Sequence, residues 1–535
     1  MWHRLWHKLI TTVTGGAVLI AFFSIISKVI GLFRDHLLAS NFGADQTLDI
    51  YYASFRLPDF IFNTLVLGAL SAAFIPIFVK LWHNNEEKAF QLANIILSKL
   101  TVILIFLVVV AAVTAPILVQ WIAPGFGTAE QAQTVMLTRI MLIGIVFFGI
   151  SNVFSGVLNS WRQFIPYAIA PIFYNVGIII GIELLYPWQG VIGLAYGVVL
   201  GAIMHMLVQL PAVWRGGLRP RWLWRQTAEV KRMLTLMLPR TIGLAANQIN
   251  QIVITSIAST LSVGSIAVFN LANNLQSFPI SIFGLSLAIA AFPIFSQAWA
   301  QNKPEDFRGS FSITFRKILF LIIPVSVFFL VLRAQIVRII LGAGQFDWED
   351  TYYTAQVLGV FSLSLFAQGT IPLLARSFYS LEDTKTPVVL GVISMIINLV
   401  LSIILSRYWG IIGLALAFSI ANIINMLLLL MALRERVGDL DDRTVVWSVF
   451  KIGINSLLAG LAVYGGLHLF APVVDMTTFL GIFIQAFLAG LLGLVVYIIL
   501  SLLTNMSEVI ILKNWLVGIF KPLFSQNNNN GQSTD

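Results

Sequence analysis

Cysteine is absent from the 535 residues, which excludes disulfides, thiol nucleophiles and thiolate metal sites. Charge is scarce as well, at 10% of residues against roughly 25% in soluble domains. A chain so poor in charge and 58% hydrophobic cannot cover several globular surfaces with polar side chains. That excludes a soluble multidomain enzyme. The six histidines are scattered, with no two at metal-ligand spacing inside one apolar run. A P-loop, a nucleophile elbow and a dinucleotide fingerprint are all lacking. The chain therefore reads as a non-enzyme without catalytic residues, metal site or cofactor; a coupling ion, of unspecified identity, is the one small partner left open.

What the chain does have is long apolar runs. About 14 of them reach the roughly 20 residues needed to cross a bilayer core, and none shows the short alternating pattern of a β-barrel. The fold class predicted is an all-α polytopic membrane protein with about 14 transmembrane helices. The first run, from about Thr11 to Phe33, follows the basic start MWHRLWHK. It is too long for a typical signal core and contains Lys28, so it reads as a retained helix.

The net charge of +9 does not call for nucleic acid. About 24 of the Lys and Arg residues fall in alternate connections, and the intervening ones are short and neutral or acidic, as in GAGQFDWED (342–350). This positive-inside pattern predicts a multi-pass protein of the cytoplasmic (inner) membrane with both termini cytoplasmic. The longest basic connection, WRGGLRPRWLWRQTAEVKRM (214–233), suits an amphipathic helix lying at the headgroup level against anionic membrane lipid. The end of the chain, QNNNNGQSTD, is polar and of low complexity.

Residues 51–78, YYASFRLPDFIFNTLVLGALSAAFIPIF, resemble residues 269–295, FNLANNLQSFPISIFGLSLAIAAFPIF, at an offset of about 218. Repeats of this kind are common in secondary transporters. The organisation predicted is a six-helix lobe over 1–213, the basic connection 214–233, a second six-helix lobe over 234–436, two further helices over 437–521 and a disordered tail over 522–535.

Charged groups inside apolar spans cost roughly 2.5–3.5 kcal/mol on insertion scales and usually face a cavity or a partner. In the first run Ser24, Ser27, Lys28, Gly31, Arg34 and Asp35 recur at three- and four-residue spacing, one helical stripe. The second run opens with Asp49, Arg56, Pro58 and Asp59, and its prolines predict a disrupted or bent helix. In the seventh, Asn247, Asn250 and Gln251 share a face, and Asn273, Asn274 and Gln276 precede the eighth. Interhelical hydrogen bonding and the lining of a cavity both fit these amides.

SKVIGLFRDHLLASNFGA (27–44), LDIYYASFRLPDF (48–60), GALSAAFIP (68–76), PRTIGLAANQINQIVITSIAST (239–260) and FPISIFGLSLAIAAFP (278–293) together resemble the lipid II flippase family of peptidoglycan synthesis. That family lies within the multidrug/oligosaccharidyl-lipid/polysaccharide exporter superfamily. The resemblance implies two six-helix lobes in a V shape, alternating access around a cationic cavity, and two final helices that contribute a groove for a polyprenyl chain. The partner it implies is a polyprenyl-diphosphate-linked glycan lipid, lipid II, moved from the inner to the outer leaflet, with cell-wall synthesis machinery as a further partner.

By this resemblance Lys28, Arg34, Asp35, Asp49 and Arg56 bind substrate; Asn247, Asn250, Gln251 and Asn274 are candidates for further cavity polarity, with interhelical hydrogen bonding as the alternative. The chain also departs from the family pattern. Phe62, Asn63 and Leu67 stand where two arginines and a glutamate are usual, and Asn274 stands where an arginine is usual. These losses leave open a flippase or exporter for another polyprenyl-diphosphate-linked glycan. A non-transporting membrane scaffold, from a different class, is disfavoured by charged residues deep in the spans.

Overall fold

The computed structural model describes residues 13–67 and 74–509; the tail 522–535 lies outside them. Among the described residues there is no strand. The principal helices are α1 (Val13–Phe42), α2 (Gln46–Ser54), α3 (Arg56–Ile61), α4 (Ile75–Asn84), α5 (Glu86–Ile122) and α6 (Thr128–Ser160). There follow α7 (Phe164–Ile180), α8 (Val191–Leu207), α9 (Leu210–Arg215), α10 (Ala228–Ser259), α11 (Ser265–Pro279) and α12 (Ser286–Ala300). The last are α13 (Pro304–Val331), α14 (Trp348–Ser362), α15 (Leu365–Ser380), α16 (Lys385–Val437), α17 (Asp442–Phe470) and α18 (Phe479–Leu503).

Nine helical stretches among the described residues are long and apolar enough to cross a bilayer, or ten if α14 and α15, bent by 48° at a short break, make one crossing. At 53 residues α16 is longer than one crossing needs, and it breaks at Gly410, whose φ of 53° only glycine adopts readily. The second apolar run is interrupted, as its prolines suggest: α2 ends before Phe55, α3 follows, and Phe62–Leu67 continues as a π-helix. A further π-helical segment, Ile280–Leu285, joins α11 to α12. These two π-helices occupy matching places in the repeat of about 218 residues, while a third, Gly181–Leu185, follows α7 outside it; such turns are frequent at functional sites.

The described chain forms two compact units. One gathers the residues up to Asn274 together with Ile340–Thr354 and Met395–Ala417. Its core packs Leu57, Phe74, Phe78, Leu92, Leu104 and Phe154. Within it α7 and α8 meet through facing glycines. A Cβ on Gly177 would lie 2.3 Å from the Gly201 backbone, and one on Gly197 would lie 2.5 Å from Gly181 Cα. Lipid supplies no hydrophobic drive for helices to associate, so this backbone approach and its dispersion contacts hold the pair.

The second unit gathers Leu275–Ile339, Ala355–Ser394 and the described residues from Phe418 onward. Phe295, Phe307, Phe311 and Phe378 fill its core. A buried ion pair, Arg316 Nη1 to Glu508 Oε1 at 2.7 Å, ties α13 to the segment after α18.

The helix expected over 214–233 forms only at its edges. α9 ends at Arg215, residues 218–227 are non-helical, and α10 begins at Ala228 with the Thr227 hydroxyl accepting from Val230 N. Gly216, Gly217 and Pro220 stop the helix, the glycines by backbone freedom and the proline by its fixed φ and missing N–H.

Candidate functional site

The polar stripe of α1 meets Asn175, the lone amide of the run AIAPIFYNVGIII in α7. Asn175 Oδ1 accepts from Arg34 Nη1 at 3.0 Å, and its Nδ2 donates to the Ser27 and Pro171 carbonyls at 3.3 and 3.1 Å. Arg34 Nε and Nη2 both donate to Asp35 Oδ1, at 3.1 and 2.7 Å. Asp35 Oδ2 accepts from Asn274 Nδ2 of α11 at 3.0 Å. Asp35 is 2% exposed, and both its oxygens are satisfied, the condition under which a buried charge is tolerated. Asp35 therefore pairs with Arg34, and the pair is internally neutral.

Two further cations make no direct ion pair among the described residues. Lys28, one helical turn and a half before Arg34, is partly buried and makes no hydrogen bond or ion pair among the described residues. Arg56 of α3 donates from Nε to Thr255 Oγ1 at 2.6 Å and from Nη2 to Asn270 Oδ1 at 2.7 Å. Both partners are neutral, and the Asp59 carboxylate of the same helix acts on the guanidinium through space without a direct bond to it.

Asp49 does different work. Its carboxylate accepts from Gly264 N and Ala267 N, each at 2.8 Å, and so satisfies free N–H groups at the start of α11. Around it the connections interlock: Ala44 N donates to Asp350 Oδ2 at 2.8 Å, Gln345 N to the Ser40 carbonyl at 2.8 Å, and Gly125 N to Ser259 Oγ at 3.2 Å. A Cβ on Gly264 would lie 1.8 Å from the Ala44 carbonyl oxygen, so only glycine permits this closure. This end of the first unit is closed by close backbone approach and by side-chain oxygens that accept from backbone N–H groups.

The seventh-run amides separate. Asn250 Oδ1 accepts from Asn398 Nδ2 at 2.9 Å, whereas Gln251 takes part through its carbonyl, which accepts from Thr255 Oγ1 at 3.0 Å, and Asn247 is exposed. In the second unit Gln276 Oε1 accepts from Gln368 Nε2 at 2.9 Å. The second unit also holds an apolar groove of about 840 Å³ between α13 and α18, lined by Phe320, Pro324, Phe328, Phe487, Leu491 and Tyr497 among others.

A family model described as Lipid II flippase MurJ matches residues 38–486. The chain belongs to the lipid II flippase family. A probable lipid II flippase MurJ of Vibrio cholerae is 31% identical over 468 residues, 84% of this chain and 87% of that protein. A lipid II flippase MurJ of Burkholderia cenocepacia is 30% identical over 451 residues, covering 82% and 87%. A solved lipid II flippase MurJ in an inward closed conformation superposes with a TM-score of 0.75 at 25% identity, covering 90% of this chain and 98% of that one. An inward-facing multidrug resistance MATE family transporter of the MOP superfamily shares the fold, with a TM-score of 0.67 over 80% of this chain and 99% of that one.

Within this flippase-family chain the structure brings Arg34, Asp35 and Asn274 into one cluster and gives Arg56 and Asp49 separate partners. Asn175, Thr255 and Asn270, absent from the sequence-derived set, hold the two arginines. A single amide in an otherwise apolar run is the signal that marks Asn175. Thr255 and Asn270 carry no comparable mark, because a threonine or asparagine beside other polar residues is ordinary in helices.

Proposed function

We infer that this chain is the transporter that moves lipid II, a polyprenyl-diphosphate-linked glycan, from the inner to the outer leaflet of the cytoplasmic membrane for peptidoglycan synthesis. The family match over residues 38–486 carries this reading. The chemistry of the residues supports it. A diphosphate leaving water needs fixed cations, and guanidinium groups offer it paired hydrogen bonds. Lys28 and Arg56 are bonded to no carboxylate, and Arg34 turns its fork from Asp35 to phosphate while Asn274 stays on Asp35. The groove between α13 and α18 suits the polyprenyl chain. Lipid tails are as apolar as the groove, so it positions the chain without a hydrophobic gain.

The cycle requires the end sealed at Asp49 to open, which gives up the two carboxylate contacts to Gly264 and Ala267. Fourteen crossings follow if α1, α10, the interrupted segment 46–84 and the second half of α16 join the ten apolar stretches. With the basic connections inside, both termini are then cytoplasmic. Asn274 bonded to Asp35, where the family pattern implies a cation, favours a second reading in which another polyprenyl-diphosphate-linked glycan is carried.

Purified protein in vesicles, supplied in parallel with labelled lipid II and a different polyprenyl-diphosphate glycan, tests the assignment. Faster movement of lipid II is expected. Preference for the other glycan would replace the first reading with the second, and inactivity on both would leave neither.

A further inference from the structure

The connection between α9 and α10 belongs to neither the polar cluster nor the groove, yet it is built with care. Residues 218–227 run non-helically beside α5, gripped by its polar side chains. Asn94 accepts from Arg221 N at 2.9 Å and donates to the Arg219 carbonyl at 3.2 Å. Ser98 Oγ accepts from Leu223 N at 2.9 Å, and Lys99 Nζ donates to Gln226 Oε1 at 2.7 Å. Leu218 is buried in the core of the unit and Leu223 packs against it. The intervening Trp222 and Trp224 stay outside, 66% and 59% exposed. Side chains alternate along an extended chain, so anchoring Leu223 inward turns the two indoles outward. Lys99 Nζ also lies 5.6 Å from the centre of the Trp224 ring.

Arg215, Arg219, Arg221 and Arg225 are all exposed, and residues 214–228 contain no Asp or Glu. A slack linker needs none of these anchors. Two fixed indoles between guanidinium groups match the chemistry of the headgroup region, where tryptophan concentrates and anionic phospholipids gather basic side chains. The strap starts where the apolar stretch Val191–Arg215 ends, which puts it at a membrane boundary.

We propose that residues 214–226 form a docking strap for anionic phospholipid headgroups of the surrounding bilayer. The indoles sit at the interface and the arginines pair with phosphodiester oxygens. The bound lipid is a resident of the bilayer and is not the transported substrate, so the proposal stands apart from the flippase reading.

The test uses the full-length protein in nanodiscs of phosphatidylcholine containing phosphatidylglycerol. Dibrominated phosphatidylglycerol and dibrominated phosphatidylcholine, at equal mole fraction, quench tryptophan fluorescence. The strap's share is the difference between the wild type and W222F/W224F. Stronger quenching by the brominated phosphatidylglycerol is expected. Each arginine replaced in R219Q, R221Q and R225Q should lower that preference by up to about 5-fold, and high salt should remove it. N94A/S98A keeps every charge while releasing the strap, and should lose much of the preference too. Equal quenching by the two lipids would overturn the proposal. So would absence of quenching, which places the indoles in water or against a protein, or full preference in N94A/S98A, which makes the ordered strap irrelevant.

Discussion

Arg34 and Asp35 depend on each other for charge and on Asn175 and Asn274 for the remaining hydrogen bonds. Removing one member of such a pair leaves a buried charge without compensation. Arg34→Ala should therefore destabilise the purified protein by about 3–5 kcal/mol, read as a fall in thermal midpoint in detergent. Asn175→Ala removes neutral partners only and should cost about 1 kcal/mol. Equal effects would show that the ion pair is not what holds α1. Asp49→Asn keeps the shape but puts a donor NH2 where one acceptor oxygen stood, so one of the two bonds to the first turn of α11 is lost and the charge behind the other is removed. A loss of about 1–2 kcal/mol is expected by the same measurement, and an unchanged midpoint would mean the seal does not rely on the carboxylate. Lys28, Arg34 and Arg56 were legible in the sequence because a charge in an apolar run is costly wherever it points. Of the residues that hold the two arginines, only Asn175 carries a mark in the sequence; Thr255 and Asn270 do not, since which threonine or asparagine meets a guanidinium is decided by helix packing.

At the scale of elements, helix contacts here are set by small residues. Gly197→Ala places a methyl 2.5 Å from Gly181 Cα and should cost about 1–3 kcal/mol through overpacking. Gly453→Ala, in α17, meets nothing within 4 Å and should stabilise by up to about 1 kcal/mol through helix propensity. Thermal unfolding of the two variants side by side checks the contrast; a shift of the same sign in both would contradict it. Apolar length made the helices easy to foresee. Their interruptions were foreseeable in part: Pro58 signalled a broken second run, although the break falls at Phe55 and a π-helix follows. Residues 221–225 are extended where a helix is expected, for a plain reason. Arg, Trp, Leu, Trp and Arg alternate with period two, the pattern of an extended chain, and the glycines and proline before them remove the helix that their amphipathic composition suggested.

For the whole molecule, the missing cysteines are an experimental advantage, because a single introduced thiol has no background. If the basic connections are cytoplasmic, Asn302→Cys should be shielded from a membrane-impermeant maleimide in intact cells, while Asp347→Cys and Asp475→Cys should react. Reaction at position 302 with protection at 347 would invert the proposed orientation. The +9 net charge then records sidedness, and the cations that bear on substrate are the few within the spans. Lys28, Arg34 and Arg56 act together on one anionic headgroup in this account, so their loss should affect transport beyond any effect on folding. The most direct test is the rate of lipid II translocation in vesicles containing equal amounts of folded wild type, Lys28→Ala, Arg34→Ala and Arg56→Ala protein. A large loss of rate is expected in each variant, with Arg34→Lys recovering less than full activity because the paired hydrogen bonds are gone. Wild-type rates in Lys28→Ala and Arg34→Ala would contradict it.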